Sequence, residues 1–130
     1  MKNHKIELRF KKLEKALKSL EDIAFKPSKK DRINIDATIQ RFEFTIELFW
    51  NFLKAILETK GVATQYPKDV LKGAFAGGLI DDEHEWIKML QDRNATSHTY
   101  DEKLANSIYQ NIHGYIPNPF QDTDQFGISG

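Results

Sequence analysis

The first part of the chain carries hydrophobic residues at alternating spacings of three and four, which place them on one face of a helix. This stripe consists of Ile6, Phe10, Leu13, Leu17, Leu20 and Ala24. Most of the lysines in the segment fall outside the stripe, and Pro27 with Ser28 interrupts the pattern. The pattern predicts an amphipathic helix that ends near Ala24 and buries one face.

A second and longer periodic segment runs from about Asp31 to Lys60, and Gly61 provides a natural stop after it. Its middle, residues 39–57, is hydrophobic around much of the helix circumference. A helix with one solvent-exposed face does not need hydrophobic residues on that face. We therefore predict that this helix lies at the centre of a bundle or in a subunit interface, and that the protein is a homodimer.

Shorter helices are predicted in the rest of the chain. Their starts are marked by Pro67, by Asp81 or Asp82, and by Asp101. The last of these helices is expected to end before Gly114, and no sustained alternation predicts a strand. The expected fold class is all-α, an up-and-down four-helix bundle with one short extra helix.

One domain is expected over residues 1–120, followed by a flexible C-terminal tail over residues 121–130. The chain has 130 residues, of which 40% are hydrophobic and 12% aromatic, so it can bury a proper core. It has no cysteine, which excludes disulfides, thiol nucleophiles and cysteine-based zinc sites. Because no stretch has the pattern of a signal peptide or a membrane span, we expect a cytoplasmic protein that contacts no membrane.

The charges are balanced in total but not along the chain. Residues 1–32 carry eleven Lys and Arg against five Asp and Glu, a net of +6, and the remainder carries a net of −6. The neutral total argues against a general nucleic-acid coat protein, and we expect no DNA partner. A basic first helix can still steer a polyanion or dock on an acidic surface, although a solvated lysine face explains any single lysine.

The chemistry of the chain is concentrated in residues 92–101, where nine of ten side chains are polar or ionisable. Arg93 shares a helix face with the hydrophobic residue seven positions before it, so it projects toward the packed side. His98 follows five residues later, an offset that turns it away from Arg93 unless the helix ends or bends near Thr96. Such an end would bring Arg93, His98 and Tyr100 into one site.

An arginine, a histidine and a tyrosine at one site suit phosphate chemistry. The guanidinium can bind phosphoryl oxygens and neutralise developing charge, and the imidazole can move a proton near neutral pH. These two groups suffice for RNA cleavage without a metal, and the phenol can donate a hydrogen bond or accept a transferred group. The alternative is that these residues have only a structural role, as a hydrogen-bond network that ends the helix. In that case Arg93 pairs with a nearby carboxylate, one of Asp92, Asp101 and Glu102.

Two segments together resemble the HEPN superfamily, in the branch described as nucleotidyltransferase substrate-binding proteins. The first is residues 40–50, QRFEFTIELFW, on the long helix. The second, residues 78–102, contains the family's pattern of Arg, four residues, His, one residue and Tyr. The likeness covers most of residues 5–118. Members of this branch are small helical partners of minimal nucleotidyltransferases in prokaryotic toxin–antitoxin pairs.

The resemblance implies a twofold dimer in which the Arg93 and His98 pairs of both subunits face one cleft. In active relatives this site cleaves RNA without a metal, which places Arg93 and His98 in catalytic positions. A cognate minimal nucleotidyltransferase is also implied, which can neutralise the toxin by adenylylating Tyr100. Some members only bind the nucleotidyltransferase or its substrate, so a non-catalytic nucleotide-binding or adaptor protein is the alternative. RNA or a nucleotide is the expected ligand, and no cofactor is expected.

Five residues are expected to support the site: Asn94, Ser97, Tyr100, Asp36 and Glu43. Of these, Asp36 or Glu43 can orient Arg93. Glu43 and Glu47 lie one turn apart on the long helix, but no Glu-x-x-His motif accompanies them, so we expect a salt bridge rather than a metal site.

Two further sets of residues are expected to have structural roles. The bulky aromatic residues of the long helix are interpreted as core or dimer contacts: Phe42, Phe49, Trp50 and Phe52. The other histidines show no ligand spacing and are expected to be solvated: His4, His84 and His113.

Overall fold

The computed structural model describes residues 4–25 and 32–116, and every structural statement below concerns those residues. They form the helices α1 (His4–Ala24), α2 (Arg32–Thr59), α3 (Pro67–Ala76), α4 (Glu83–Ala95) and α5 (Glu102–Tyr115), with a 3₁₀ turn at Thr96–His98 between α4 and α5. The described residues contain no strand, so the predicted all-α fold with one short extra helix is confirmed. The interruption at Pro27 and the tail over 121–130 lie outside the described residues.

The long helix α2 is the element around which the others are arranged, since it packs against α1, α3, α4 and α5. Its side chains Phe42, Phe49 and Phe52 are fully buried. Phe49 meets Trp86 of α4 edge-on with 4.4 Å between ring centroids, and Phe52 packs against Phe10 of α1 at 5.3 Å. Hydrophobic residues on several faces of α2 are therefore explained by neighbours within one chain, which confirms the central position predicted for this helix.

Part of the hydrophobic surface of α2 stays open in a single chain. Ile33 is exposed, Phe44 is 63% exposed, and Leu48 and Trp50 are half-buried. A subunit interface on α2 can therefore use these partly open side chains but not the whole circumference of the helix. The predicted dimer therefore depends on a smaller surface than the sequence pattern alone indicates.

The starts of the two helices that flank the polar segment are capped by aspartates. Asp82 accepts a hydrogen bond from the backbone N–H of Glu85 at 3.0 Å, which identifies it rather than Asp81 as the N-cap of α4. Asp101 accepts from the N–H groups of Lys103 and Leu104 at 2.9 and 3.3 Å. These caps set where α4 and α5 begin, as the sequence predicts.

The end of α5 differs from the prediction. The helix continues through Gly114 to Tyr115, so the expectation that it ends before Gly114 is wrong. Tyr115 is buried and its ring stacks on Phe42 with 5.8 Å between centroids. The hydrophobic gain from burying this ring outweighs the penalty of about 1 kcal/mol that a glycine imposes inside a helix.

His113 is half-buried rather than solvated, which corrects a second expectation. Its Nε2 lies 2.7 Å from the carbonyl oxygen of Ala24, and its Nδ1 lies 2.9 Å from that of Tyr109. The ring of Phe25 meets the imidazole edge-on at 5.2 Å. Because the last carbonyl groups of a helix lack helical partners, His113 satisfies the end of α1 and ties it to α5. His84, by contrast, is exposed as predicted.

The start of α2 is anchored by the buried side chain of Asn34. Its Nδ2 donates to the carbonyl oxygen of Ile23 in α1 at 3.3 Å, and its Oδ1 accepts from the hydroxyl of Tyr109 in α5 at 3.0 Å. Three helices are therefore joined at this end of the bundle by one amide.

We expect His113→Ala to lower the free energy of unfolding by about 1–2 kcal/mol, because it removes the hydrogen bond to Ala24 and the ring contact with Phe25. Urea denaturation measures the change. His84→Ala is the matched control on an exposed surface and is expected to change stability by less than about 0.5 kcal/mol. Equal effects of the two substitutions would contradict the role assigned to His113.

Candidate functional site

The segment that carries the polar cluster begins where α4 stops. This helix ends at Ala95, and the 3₁₀ turn Thr96–His98 follows. Thr96 Oγ1 donates to the carbonyl oxygen of Arg93 at 2.7 Å, and Thr99 Oγ1 donates to that of Thr96 at 3.0 Å. These hydroxyl groups satisfy carbonyl groups that a continuing helix would have bonded. The prediction that the helix ends near Thr96 is confirmed.

His98 and Tyr100 lie on the exposed connection between α4 and α5. Their rings meet edge-on with 6.1 Å between centroids, and Tyr100 is 82% exposed. The backbone N–H of Asp101 donates to the carbonyl oxygen of His98 at 3.1 Å, which closes the turn. The imidazole and the phenol are therefore close to each other and accessible to a large substrate.

Arg93 extends from the last turns of α4 toward α2, where its Nη2 donates to Oε1 of Glu47. The side chains of Arg93 and Glu47 are 34% and 43% exposed. At this exposure, solvent screening limits an ion pair to at most about 1 kcal/mol, so its main effect is to orient the guanidinium. The guanidinium has five N–H donors, and a single donor suffices for this contact.

Glu47 is the carboxylate that orients Arg93, which corrects the expectation that Asp36 or Glu43 does so. Asp36 Oδ1 lies 2.9 Å from Nε of Arg32, and Glu43 lines the groove beside Arg93. The four-residue spacing places Glu43 and Glu47 on one face of α2. Only the packing of α4 on α2 selects Glu47 as the partner.

The acidic neighbours of Arg93 in the sequence have other partners. Asp92 accepts from Nδ2 of Asn111 at 3.1 Å and from the hydroxyl of Tyr115, and Asp101 caps α5. The structural alternative, in which Arg93 pairs with a nearby carboxylate of its own segment, is therefore wrong in its choice of partner. The pair that forms instead joins two helices.

Two of the predicted supporting residues, Asn94 and Ser97, are exposed beside His98. Ser97 Oγ lies 3.5 Å from the carbonyl oxygen of Asn94, which is a long contact. Their supporting role stays a prediction.

A groove of about 420 Å³ opens beside Arg93. Its lining combines the exposed ring of Phe44 with amide and charged side chains: Gln40, Glu43, Phe44, Glu47, Leu48, Asn51 and Arg93. This volume falls in the range of small-molecule sites. The groove is therefore large enough for a small molecule, and its lining carries two carboxylates and one guanidinium.

Two findings concern the described part of the chain as a whole. Residues 4–25 and 32–116 contain no cluster of three or more His, Asp and Glu side chains that could hold a metal ion. None of their helices combines the length and the hydrophobicity that a bilayer crossing requires.

Tyr115 donates a hydrogen bond to Asp92, the residue before Arg93 in the sequence. Burial raises the pKa of the Tyr115 phenol above its ordinary value, and the Asp92 carboxylate that accepts its hydrogen bond raises that pKa further. The folded protein therefore holds the phenolic proton more tightly than the unfolded chain. This contact fixes the end of α4 against α5.

Comparison with known families and curated proteins gives two matches. Residues 8–125 match the family model described as nucleotidyltransferase substrate binding protein like. A Haemophilus influenzae protein named "Probable ribonuclease HepT" is 37% identical over an alignment of 87 residues, which covers 63% of this chain and 60% of that protein. The similarity thus spans less than two thirds of the relative's own length.

Solved structures share the fold. A crystal structure of a Thermus thermophilus protein has a TM-score of 0.74 at 37% identity and covers 87% of this chain and 93% of its own. A second, from Haemophilus influenzae, is described as the fold of a substrate binding domain of a nucleotidyltransferase. It has a TM-score of 0.66 at 30% identity and covers 92% of this chain and 95% of its own.

The raised pKa of Tyr115 leads to a pH dependence of stability. As the pH rises above about 10, the ordinary pKa of tyrosine, the unfolded chain loses this proton while the folded protein keeps it, so the free energy of unfolding is expected to fall. Tyr115→Phe removes this contribution of up to about 1.4 kcal/mol per pH unit and should give a shallower decline. Urea denaturation between about pH 9.5 and 11.5 measures both slopes.

The exposed Tyr66 provides the control for this experiment. Tyr66→Phe is expected to keep the slope of the unmodified protein. Parallel declines of the unmodified protein and Tyr115→Phe would contradict the assignment.

Proposed function

We propose that this chain, which belongs to the family described as nucleotidyltransferase substrate binding protein like, is a metal-independent endoribonuclease of the HEPN type. The ribonuclease name of the Haemophilus relative supports the proposal. The observation that carries it is the placement of two groups: Arg93 is oriented by Glu47 beside an open groove, and His98 lies on the exposed turn that follows.

In the proposed reaction, His98 accepts the proton of a ribose 2′-hydroxyl group. The 2′ oxygen forms a bond to the adjacent phosphorus, and the bond from phosphorus to the 5′ oxygen breaks. A second imidazolium gives its proton to the leaving 5′ oxygen. Arg93 neutralises the charge that develops on the non-bridging oxygens. The products are a cyclic phosphate end and a 5′-hydroxyl end, and no metal takes part.

The second imidazole comes from a second copy of the chain in this proposal. A twofold dimer would bring the Arg93 and His98 pairs of both copies to one cleft. The exposed ring of Phe44 and the half-buried Leu48, which line the groove beside Arg93, offer hydrophobic surface for such an interface. A cleft formed this way would place RNA between the two subunits.

We expect the purified protein to cleave RNA in the presence of EDTA. His98→Ala and Arg93→Ala are each expected to lower the cleavage rate by at least about 100-fold, because each removes a group that acts on the reacting phosphate. Electrophoresis of end-labelled RNA measures the rate, and circular dichroism verifies that the variants are folded. His84→Ala, exposed on α4, is the matched control and should cleave like the unmodified protein.

Undiminished cleavage by both site variants would contradict the ribonuclease proposal. Sedimentation of the same samples at micromolar concentration tests the dimer separately. A monomer that cleaves RNA at the full rate would refute the two-subunit cleft.

A further part of the proposal assigns Tyr100 as the acceptor of an adenylyl group from a partner nucleotidyltransferase. Its exposed hydroxyl beside the His98 ring supports this role. The phenolic oxygen would bond to the α-phosphorus of ATP, pyrophosphate would leave, and the phenolic proton would pass to solvent. The added phosphate would place negative charge next to His98 and repel the RNA backbone.

Co-expression with a cognate minimal nucleotidyltransferase is expected to increase the intact mass of the protein by one adenylyl group. Tyr100→Phe should prevent this increase, since it removes the acceptor oxygen. Tyr66→Phe removes another exposed hydroxyl and should leave the increase in place. An adduct of the same mass on Tyr100→Phe would contradict the assignment.

A non-catalytic nucleotide-binding protein that serves a nucleotidyltransferase is the second candidate. The groove of about 420 Å³ beside Arg93 favours it, because the groove offers an aromatic ring and a guanidinium to one ligand. Calorimetry with nucleotides distinguishes the two candidates. Binding that is lost in Arg93→Ala but kept in His98→Ala, by a protein that cleaves no RNA, would favour this candidate over the ribonuclease.

A further inference from the structure

The turn that carries His98 and Tyr100 is held by a second contact from α2. Arg32, the first residue of that helix, donates through Nη2 to the carbonyl oxygen of Thr99, which lies between the two. The Nε of the same guanidinium lies 2.9 Å from Oδ1 of Asp36, one helical turn further along α2. One side chain thus connects a carboxylate on α2 with main chain that is 67 residues away in the sequence.

The two contacts of Arg32 work together because the guanidinium is planar and rigid. Once Nε is held by Asp36, the direction in which Nη2 points is restricted. Arg32 and Asp36 are both partly exposed, so their ion pair adds little to the stability of the fold. Its effect is geometric: it aims one N–H group at the Thr99 carbonyl.

The hydrogen bond from Arg32 differs in kind from those within the turn. Thr99 Oγ1 donates to the carbonyl oxygen of Thr96, and the N–H of Asp101 donates to that of His98. Both of these hydrogen bonds lie within the turn. The hydrogen bond from Arg32 instead joins it to a helix whose first turn is anchored by the buried Asn34. It therefore sets where the turn lies relative to the bundle.

We propose that Arg32 and Asp36 are positioning residues for His98 and Tyr100, with Asp36 acting through Arg32. The consequence for catalysis rests on the ribonuclease function proposed above. In this arrangement α2 holds the Arg–His motif at both ends, through Glu47 at Arg93 and through Arg32 at Thr99. One long helix then orients the guanidinium at one end of the motif and restrains the main chain of the turn at the other.

Amide hydrogen exchange tests the contact without any activity. Arg32→Met keeps an unbranched hydrophobic side chain but removes both polar contacts. The N–H of Asp101, which closes the turn, is expected to exchange about tenfold faster, while the N–H of the buried Ile108 in α5 exchanges as before. Asp36→Asn should accelerate exchange at Asp101 by a smaller factor, about threefold, because Arg32 keeps a neutral acceptor beside it.

Arg41 supplies the matched control. It also lies on α2 and is exposed, and its Nη1 donates to the main-chain carbonyl oxygen of Ser19 at 3.0 Å. Arg41→Met should leave exchange at Asp101 unchanged. Faster exchange in both arginine variants would indicate general loosening of α2 and would overturn the proposal.

Cleavage kinetics test the consequence. Arg32→Met is expected to lower kcat about tenfold with KM little changed, because the bound RNA would meet an imidazole that is less well placed. Arg32→Lys retains a charged donor and should recover part of kcat. A merely structural role would lower Tm and leave the kcat of the folded fraction unchanged.

The outcomes separate this inference from the proposed function. Unchanged exchange at Asp101 in Arg32→Met would overturn the positioning role whether or not the protein cleaves RNA. If the unmodified protein cleaves no RNA, the ribonuclease proposal fails, and the exchange experiment still decides whether Arg32 holds the turn.

Discussion

The burial of α2 is the constraint on which the rest of the structure depends. Each of the other α-helices packs against it, and its buried rings Phe42, Phe49 and Phe52 fill the space between them. Hydrophobic burial is not directional, but close packing of large rings admits few arrangements of the helices. The end of α4 is therefore placed beside the middle of α2 before any polar contact is considered. The pairing of Arg93 with Glu47 follows from that placement.

Stability and function are divided between two kinds of interaction in this bundle. The buried rings and the carbonyl contacts of His113 hold the helices together. The ion pairs of Arg32 and Arg93 lie near solvent, where they are weak, and each one points a guanidinium in a defined direction. Such a division lets the polar groups at the site vary at little cost to the fold.

The helices could be predicted because their signals are local. The spacing of hydrophobic residues, the capping aspartates and the turn after Ala95 can all be read from a few neighbouring residues. The partners of side chains that reach across helices could not be predicted. Glu43 and Glu47 are equivalent by spacing, and the contacts of His113 depend on the end of α1, which is 89 residues away in the sequence. The extension of α5 past Gly114 was missed because the burial of Tyr115 is a tertiary effect.

The contact between Arg93 and Glu47 also weakens the electrostatic potential that the site produces at a distance. A cation and an anion in contact act as a dipole, and their field falls off much faster than that of a lone charge. Beyond a Debye length of about 8 Å in physiological salt, an approaching polyanion gains almost nothing from Arg93. In the function proposed above, long-range attraction would instead come from lysine-rich surfaces such as that of α1. The guanidinium would then act on a phosphate that has already entered the groove, and so would contribute to discrimination among bound ligands rather than to their capture.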